Sequence, residues 1–262
     1  MPRFNSTMWP SASYDEIGRN YTATRQTDPR LAAAIWEALG DARTVVNVGA
    51  GTGSYEPPGR DVVAVEPSAV MIRQRPPGAA PGATASAEAL PFDDDSFDAA
   101  MAVLSDHHWS DRRAGLREMV RVARRRVVLF NADPALAGLF WLTSEYLPGF
   151  LDLIPAAYRE PGAWEAELRE LLGDPTILPV QIPHDCADGF YGAFWRRPHA
   201  YLDSRVRSGI SVFARLPADQ VAQGIDALRR NLDSGAWAHR HAALLALDAL
   251  DLGYRVVVAD LV

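Results

Sequence analysis

The chain contains no lysine, so every one of its 26 basic Lys/Arg positions is arginine. That absence excludes a Walker-type phosphate loop, a Schiff-base or pyridoxal phosphate anchor, and the Tyr-x-x-x-Lys pair of short-chain dehydrogenases. Cysteine is almost absent as well. The single Cys186 cannot build an intrachain disulfide framework or a thiolate cluster, and it reads as a small buried apolar residue. No apolar run reaches the length of a membrane span, and the N-terminal MPRFNSTMWPSAS lacks the apolar stretch of a secretory signal. A soluble cytoplasmic protein without a membrane partner is expected. Positive charge is also short: a formal net charge of −7 argues against nonspecific nucleic-acid binding. The densest basic cluster, Arg124, Arg125 and Arg126, precedes the strand-like VVLF and is expected at its solvated start, away from any ligand.

What is present is enough for one α/β domain with a cap. At 262 residues and 48% hydrophobic content, the chain can bury one large core with a small appended layer, and no internal repeat is visible. Asp28 and Pro29 read as an N-cap and first helical residue, before an apolar stripe of Leu31, Ala34, Ile35, Ala38 and Leu39. Strands are predicted near 43–48, 62–66, 83–86, 97–104 and 126–131, with helices near 68–75 and 111–123. Strand alternating with helix implies right-handed crossovers and a parallel sheet. Beyond Asp133 an aromatic, proline-broken stretch reads as a cap over a site, followed by a helix at 162–172. Strands at 177–183 and 254–260 complete the sheet around an inserted helical segment, 188–250, to which residues 210–214 add a short strand.

The most informative motif is VVNVGAGTG at 45–53, followed by VVAVE at 62–66. Val45, Val46 and Val48 suit a buried parallel strand, and Gly49, Gly51 and Gly53 let backbone amides approach a ligand closely. Glu66, at the next strand end, can accept hydrogen bonds from both hydroxyls of a ribose. The dinucleotide fingerprint fits poorly, because Ser54 stands where GxGxxG/A requires Gly or Ala. Only thirteen residues separate Val48 from Val62, and Pro57 and Pro58 are among them, so the helix that holds a pyrophosphate has little room. A nicotinamide-dependent oxidoreductase is therefore disfavoured. A nucleoside ligand without phosphates, such as S-adenosylmethionine, loses nothing by the shortening.

From Val45 onward the chain resembles the class I S-adenosylmethionine-dependent methyltransferases, and AEALPFDDDSFDAAMAV at 87–103 is similar to the post-strand loop of their small-molecule branch. The resemblance covers about residues 10–135. It implies a Rossmann-like, seven-stranded, mostly parallel sheet with helices on both faces, the cofactor lying across the strand carboxyl ends, and a mainly helical cap. By position it implies that Gly49, Gly51 and Gly53 line the methionine part, Glu66 the ribose, and the backbone around Ala87 with Leu90 the adenine, with Asn47, Ala50, Pro67, Ser86, Glu88 and Leu104 as further cofactor-binding candidates. Two positions depart from the family pattern: Asn47 replaces the usual acid before the glycine turn, and Ser86 the acid often set against the adenine amine. Tyr14, Tyr21 and Arg25 fall where related enzymes carry a segment that closes over the cofactor. The division expected is a lid segment at 1–27, a cofactor-binding core at 28–133, cap and insertion elements at 134–253, and a final core strand at 254–262.

Methyl transfer from a sulfonium is an in-line displacement with a neutral leaving group, so the protein must mainly align the acceptor and exclude water; no metal is required. A base adds to this where the acceptor carries a proton. Leu104-Ser105-Asp106-His107-His108-Trp109 closes the fourth strand, which makes His107 and His108 base candidates. On extended chain only one of them faces the site, and His108 is preferred. His184, after the strand at 177–183, is the second candidate. Trp109, Trp141, Glu145, Tyr146, Phe190, Phe194 and Trp195 are candidates to surround a small-molecule acceptor, the aromatic spacing after 190 reading as helical. The function expected is O-, N- or C-methylation of a small molecule. A protein that binds the cofactor without transferring methyl remains the alternative.

Overall fold

A computed structural model describes residues 25–261, so Tyr14 and Tyr21 lie outside the described residues. Seven strands form one sheet: β1 (Thr44–Val48), β2 (Asp61–Val65), β3 (Gly82–Ala83), β4 (Phe97–Val103), β5 (Ala123–Ala132), β6 (Thr176–Pro183) and β7 (Ala249–Asp260), in the order β3-β2-β1-β4-β5-β7-β6. The first five run parallel, and β7 lies antiparallel between β5 and β6. Strand order reverses between β1 and β4, which opens a crevice at their carboxyl ends, the usual ligand position in open α/β sheets.

Alternation along the strands divides the core in two. Val45, Ala99, Met101, Val128 and Phe130 point to one face, where they meet Leu31 and Ile35 of α1 (Pro29–Ala38). Their neighbours Val46, Val48, Ala100, Ala102, Val127 and Leu129 point to the other. Helix α2 (Ala69–Arg73) follows β2, capped by Ser68, and α3 (Arg112–Val122) lays Leu116 and Met119 on the second face, capped by Asp111. Both faces are thus covered, which is why the strands read as near-continuous apolar runs.

The segment after β5 runs through two 3₁₀ helices at 134–139 and 148–153 with a π-helix at 142–146 between them, then α4 (Ala156–Arg159) and α5 (Ala163–Leu172). Trp164 and Leu168 of α5 join the α3 face. Between β6 and β7 come a 3₁₀ turn at 198–202 and helices α6 (Ser204–Ser208), α7 (Ser211–Arg215), α8 (Ala218–Asp233), α9 (Ala236–Arg240) and α10 (Ala242–Leu245). Their apolar side chains, Ile210, Phe213, Ile225, Leu228 and Trp237, continue the α1-side core rather than forming one of their own.

Three sequence expectations change. Residues 210–214 form a helix, not a strand, because Ile210, Phe213 and Leu216 bury one face at helical spacing. The aromatic run after Phe190 is a series of turns, not a helix. Strand β7 begins at Ala249 rather than 254: Gly253 (φ +86) resembles a breaker, but pairing with β6 resumes beyond a register shift at Pro179/Gln181. No helix among the described residues is long and apolar enough to cross a membrane.

Candidate active site

The crevice at the carboxyl ends of β1 and β2 is lined by Asn47, Gly49, Ala50, Gly51, Glu66, Pro67, Ser86, Ala87, Glu88, Leu104, Ser105, His108 and Trp109, among others. No helix forms between β1 and β2, so nothing there serves a pyrophosphate. The turn is instead held by the amides of Gly49 and Ala50, which donate to the Val65 carbonyl at 2.8 and 3.0 Å. Glu66 reaches back into it, accepting from Gly51 N and Ser68 N at 3.0 Å each. Burial raises the Glu66 pKa, opposed by those two amides and by Arg75. Two buried polar atoms in this cleft have no protein partner, Asn47 Oδ1, an acceptor, and Trp109 Nε1, a donor. Such atoms are costly unless a ligand satisfies them, so the cleft suits a ligand that brings both a donor and an acceptor. Asn47 Nδ2 lies 3.5 Å from Glu56 Oε1, and Glu56 in turn pairs with Arg75 at 2.5 Å. Asn47, which stands where an acid is usual, thus has a carboxylate neighbour in the partly buried Glu56.

A second cavity, of about 1110 Å³ with its open mouth, lies beyond the ends of β4 and β5. Phe140, Phe150, Phe190, Tyr191, Ile210, Val212 and Tyr254 give it apolar walls, while Arg25, His107, His108, Asn131, Asp133 and Arg215 supply polar groups. Arg25, Leu104 and His108 line both cavities, and therefore mark where they meet.

Leu104 adopts φ +51, a turn out of β4 that starts a short 3₁₀ helix at Asp106–His108. Because this turn is helical rather than extended, both His107 and His108 reach the second cavity, with ring centroids 3.9 Å apart. That corrects the expectation that only one does. Burial depresses the His107 pKa to about 4 and places that of His108 well below 6.5, with Arg215 and Arg25 pushing both further down. Beneath the turn, Asp106 accepts from Arg112 Nε at 2.8 Å and from Asn131 Nδ2, and Arg112 also bonds Glu167. This buried network fixes the histidine-bearing turn against β5 and α5.

The depressed histidines set the sign of a pH effect. Stability is complete above the unfolded value of about 6.5 and falls as pH drops toward 4, because the unfolded chain takes up protons that the folded chain refuses. Urea titrations from pH 7 to 4.5 should show a shallower decline for a His107→Gln/His108→Gln variant than for the wild type. Parallel declines would exclude burial of both imidazoles.

Several predicted site residues lie elsewhere. His184 lies outside both cavities, its Nδ1 3.1 Å from the Asp248 carbonyl. Trp141 and Trp195 are buried core, with their indole N–H groups donating to the Trp195 and Ile182 carbonyls. Tyr146 accepts from Asn231, Glu145 pairs with Arg240 and His241, and Phe194 packs edge-on against Tyr201. A large indole buries best where its N–H finds a carbonyl, and the layer between insertion and sheet provides those partners. Of the proposed acceptor residues only Phe190 lines the second cavity, and Trp109 lines the first. Gly53 faces the Arg75–Glu56 pair, and Leu90 is buried outside the cleft wall.

Sequence reasoning missed Asp188, Tyr55 and Asn131. Buried Asp188 accepts from Arg25 Nε at 2.7 Å and from the Tyr55 hydroxyl at 2.9 Å, which ties the insertion to the glycine turn. Only Asn131, at the carboxyl end of β5, carried a visible signal. Arg124 and Arg126 sit within β5 and bond Asp98 and Asp260, at the strand end away from the cleft. Among the described residues no group of three His, Cys, Asp or Glu could hold a metal.

A glycine-turn crevice at the topological switch point, an acid at the end of β2 and an antiparallel β7 define a class I S-adenosylmethionine-dependent methyltransferase. A family model described as a methyltransferase domain matches residues 46–130. A protein from Anabaena variabilis ATCC 29413, described as a candidate methyltransferase of an antibiotic biosynthesis pathway, is 34% identical with a TM-score of 0.81, over 90% of this chain and 99% of that one. The chain belongs to this methyltransferase family, and its cofactor is S-adenosylmethionine. The (4+2)-cyclase SpnF, 16% identical with a TM-score of 0.54 over 97% of this chain and 95% of its own, shares the fold alone. No curated protein matches the chain.

Proposed function

We propose that this methyltransferase acts on a small molecule, whose oxygen, nitrogen or carbon atom takes the methyl group. The observation that carries this reading is the meeting of two cavities at Arg25, Leu104 and His108. One has the polar atoms of a nucleoside site and the other has aromatic walls that suit a compact apolar body. S-adenosylmethionine supplies an electrophilic methyl group on a sulfonium whose sulfur leaves uncharged.

Glu66 would accept from the ribose hydroxyls while Gly51 N and Ser68 N hold its carboxylate in place. Asn47 Oδ1 and Trp109 Nε1 would find their missing partners on the cofactor. His108, on both walls, would hold the acceptor's reacting atom, and the neutral ring offers one donor and one acceptor nitrogen. Walls such as Phe140, Phe190 and Tyr254 would exclude water.

The test is S-adenosylhomocysteine formation with fractionated extracts as acceptor source. Low-molecular-weight fractions should support turnover, and protein or nucleic-acid fractions should not. With the active fraction, His108→Ala should lower kcat by roughly 100-fold, the low end for a positioned proton-handling group. Turnover confined to macromolecular fractions would refute the reading.

A further inference from the structure

Strand order fixes which part of the cofactor can meet Asn47. The cleft runs from Ser86 and Glu88, after β3, to Leu104 and His108, after β4, where it joins the second cavity. In the order β3-β2-β1-β4 the sulfonium must lie toward β4, so that its methyl group faces that cavity. With the ribose at Glu66, after β2, the adenine then points toward β3. Asn47, on β1, stands on the side away from the adenine. The cofactor's donors are the adenine amine, the ribose hydroxyls and the α-ammonium. Glu66 takes the hydroxyls, so the α-ammonium is left for Asn47 Oδ1, a buried acceptor without a hydrogen-bond partner among the described residues. Trp109 Nε1, a buried donor equally without one, lies 3.3 Å from where a side chain on Gly49 would begin. An acceptor and a donor left open at one end of a cleft are the complement of an amino-acid zwitterion.

What aims the Asn47 amide is Glu56. Asn47 Nδ2 faces Glu56 Oε1 at 3.5 Å, the outer limit of a hydrogen bond. Glu56 is fixed in turn: its Oε1 accepts from Arg75 Nη2 at 2.5 Å and its Oε2 from Ala80 N at 3.1 Å. Arg75 also reaches the Ala80 carbonyl at 2.9 Å and the Gly51 carbonyl at 3.4 Å, which ties the pair to the glycine turn. An amide turned over would set its oxygen against the Glu56 carboxylate and present an NH2 group to the cleft. An acid at position 47 would stand equally close to Glu56, and two carboxylates at that distance do not both ionise readily. The acid at 56 and the amide at 47 are therefore a matched pair. Resting on the assignment of Glu66 to the ribose above, we propose that Glu56 is a positioning residue for the cofactor, turning the Asn47 amide so that its oxygen accepts from the α-ammonium, while Trp109 Nε1 donates to the α-carboxylate.

The experiment titrates the whole chain by calorimetry with three probes: S-adenosylhomocysteine, S-adenosylthiopropylamine, which keeps the ammonium but not the carboxylate, and methylthioadenosine, which has neither. Asn47→Ala should weaken binding of the first two by about tenfold and leave methylthioadenosine unchanged. Glu56→Gln should weaken the same two by at least about twofold, again without effect on methylthioadenosine, and should add nothing in the Asn47→Ala background, because it acts through the amide. Asn47→Asp should bind S-adenosylhomocysteine more weakly than the double variant Asn47→Asp/Glu56→Gln, in which the acid at 47 has lost its charged neighbour. A merely structural role for Glu56 would weaken all three probes together. That result overturns the proposal, as does loss of methylthioadenosine binding in Asn47→Ala, unchanged binding of both ammonium probes, or an effect of Glu56→Gln that persists without the amide. Unchanged methylthioadenosine binding by Glu66→Ala would instead overturn the ribose assignment beneath it. Asn47→Ala leaves the Glu56–Arg75 pair in place, so its comparison stands even if Glu56→Gln does not fold.

Discussion

Asp188→Ala should lower the unfolding free energy by about 3–5 kcal/mol, the cost of breaking a buried ion pair by removing one member. Asp188 has no exposed surface. Its two oxygens accept from Arg25 Nε and Nη2 at 2.7 and 3.2 Å, from the Tyr55 hydroxyl at 2.9 Å, and from Gly189 N at 2.7 Å. Truncation removes this one acceptor from all of these donors at once. Arg25, whose side chain is 10% exposed, loses its two hydrogen bonds to Asp188, and Tyr55 keeps a buried hydroxyl. Burial, with the negative charge of Asp188, holds that phenol far above its ordinary pKa, so it stays protonated and its O–H needs an acceptor. For a chain of this size the loss corresponds to roughly 6–20 °C in melting temperature. Asp188→Asn should lie between, because it still accepts from the tyrosine but cannot balance the guanidinium. A second variant isolates the pair: Arg25→Ala combined with Asp188→Ala should cost less than the sum of the two single changes. Because Arg25 stands on the wall of both cavities, the melts should be repeated with S-adenosylhomocysteine. A loss below about 1 kcal/mol, typical of an exposed pair, would mean that this tie is not made in solution.

The tie also shows what the sequence could and could not reveal. The parallel half of the sheet was legible because it is local. Val45, Val46 and Val48, a glycine turn, Val62 to Val65 and an acid follow one another between positions 45 and 66, and each obeys a known backbone or burial rule. The crevice came with them, since it is a property of strand order. Asp188 lies more than 130 residues from Tyr55 and more than 160 from Arg25, and its flanks, Cys186-Ala187 and Gly189-Phe190, have no periodicity. Nothing local distinguishes it from a solvated loop acid. The second cavity was hidden for a related reason. Its walls come from β5, the 134–154 segment, the turns after Phe190 and α7, and aromatic residues in such segments look alike whether they line a cavity or fill a core. Trp141, Trp195 and Tyr146 went to the core, while Phe140, Phe150 and Tyr254 went to the cavity. The histidines were found from their place after β4, but their orientation was misread because the positive φ of Leu104 turns the chain into a 3₁₀ helix.

Gly49→Ala should weaken S-adenosylhomocysteine binding by roughly 30-fold or more, because the glycine turn has no room for a side chain and no freedom to make any. Gly49 has φ +69, a conformation that costs an L-residue about 1–2 kcal/mol. A Cβ there would lie 2.6 Å from Ser105 Cβ and 2.8 Å from its Oγ, well inside contact distance. Ser105 cannot yield easily: it is buried, its hydroxyl donates to the Val48 carbonyl at 2.9 Å, and it precedes the histidine-bearing turn. Overpacking of this kind costs about 1–3 kcal/mol. The sum, about 2–5 kcal/mol, falls on the segment that lines the cleft, where the Gly49 amide donates to Val65 at 2.8 Å and Trp109 Nε1 lies 3.3 Å from the added carbon. Relief requires the turn or the 105–109 segment to move, and either motion displaces Glu66 or His108 relative to the ligand. The strain should therefore appear more in affinity than in the melting temperature of the unliganded chain. Gly59→Ala provides the comparison, since Gly59 has φ +73 but nothing within 4 Å of its added carbon. It should pay the conformational cost alone and leave S-adenosylhomocysteine binding unchanged. If the two alanine variants lose affinity equally, the clash with Ser105 is not what reserves position 49 for glycine, and the close approach of β1 to the β4 turn is not a feature of the liganded site.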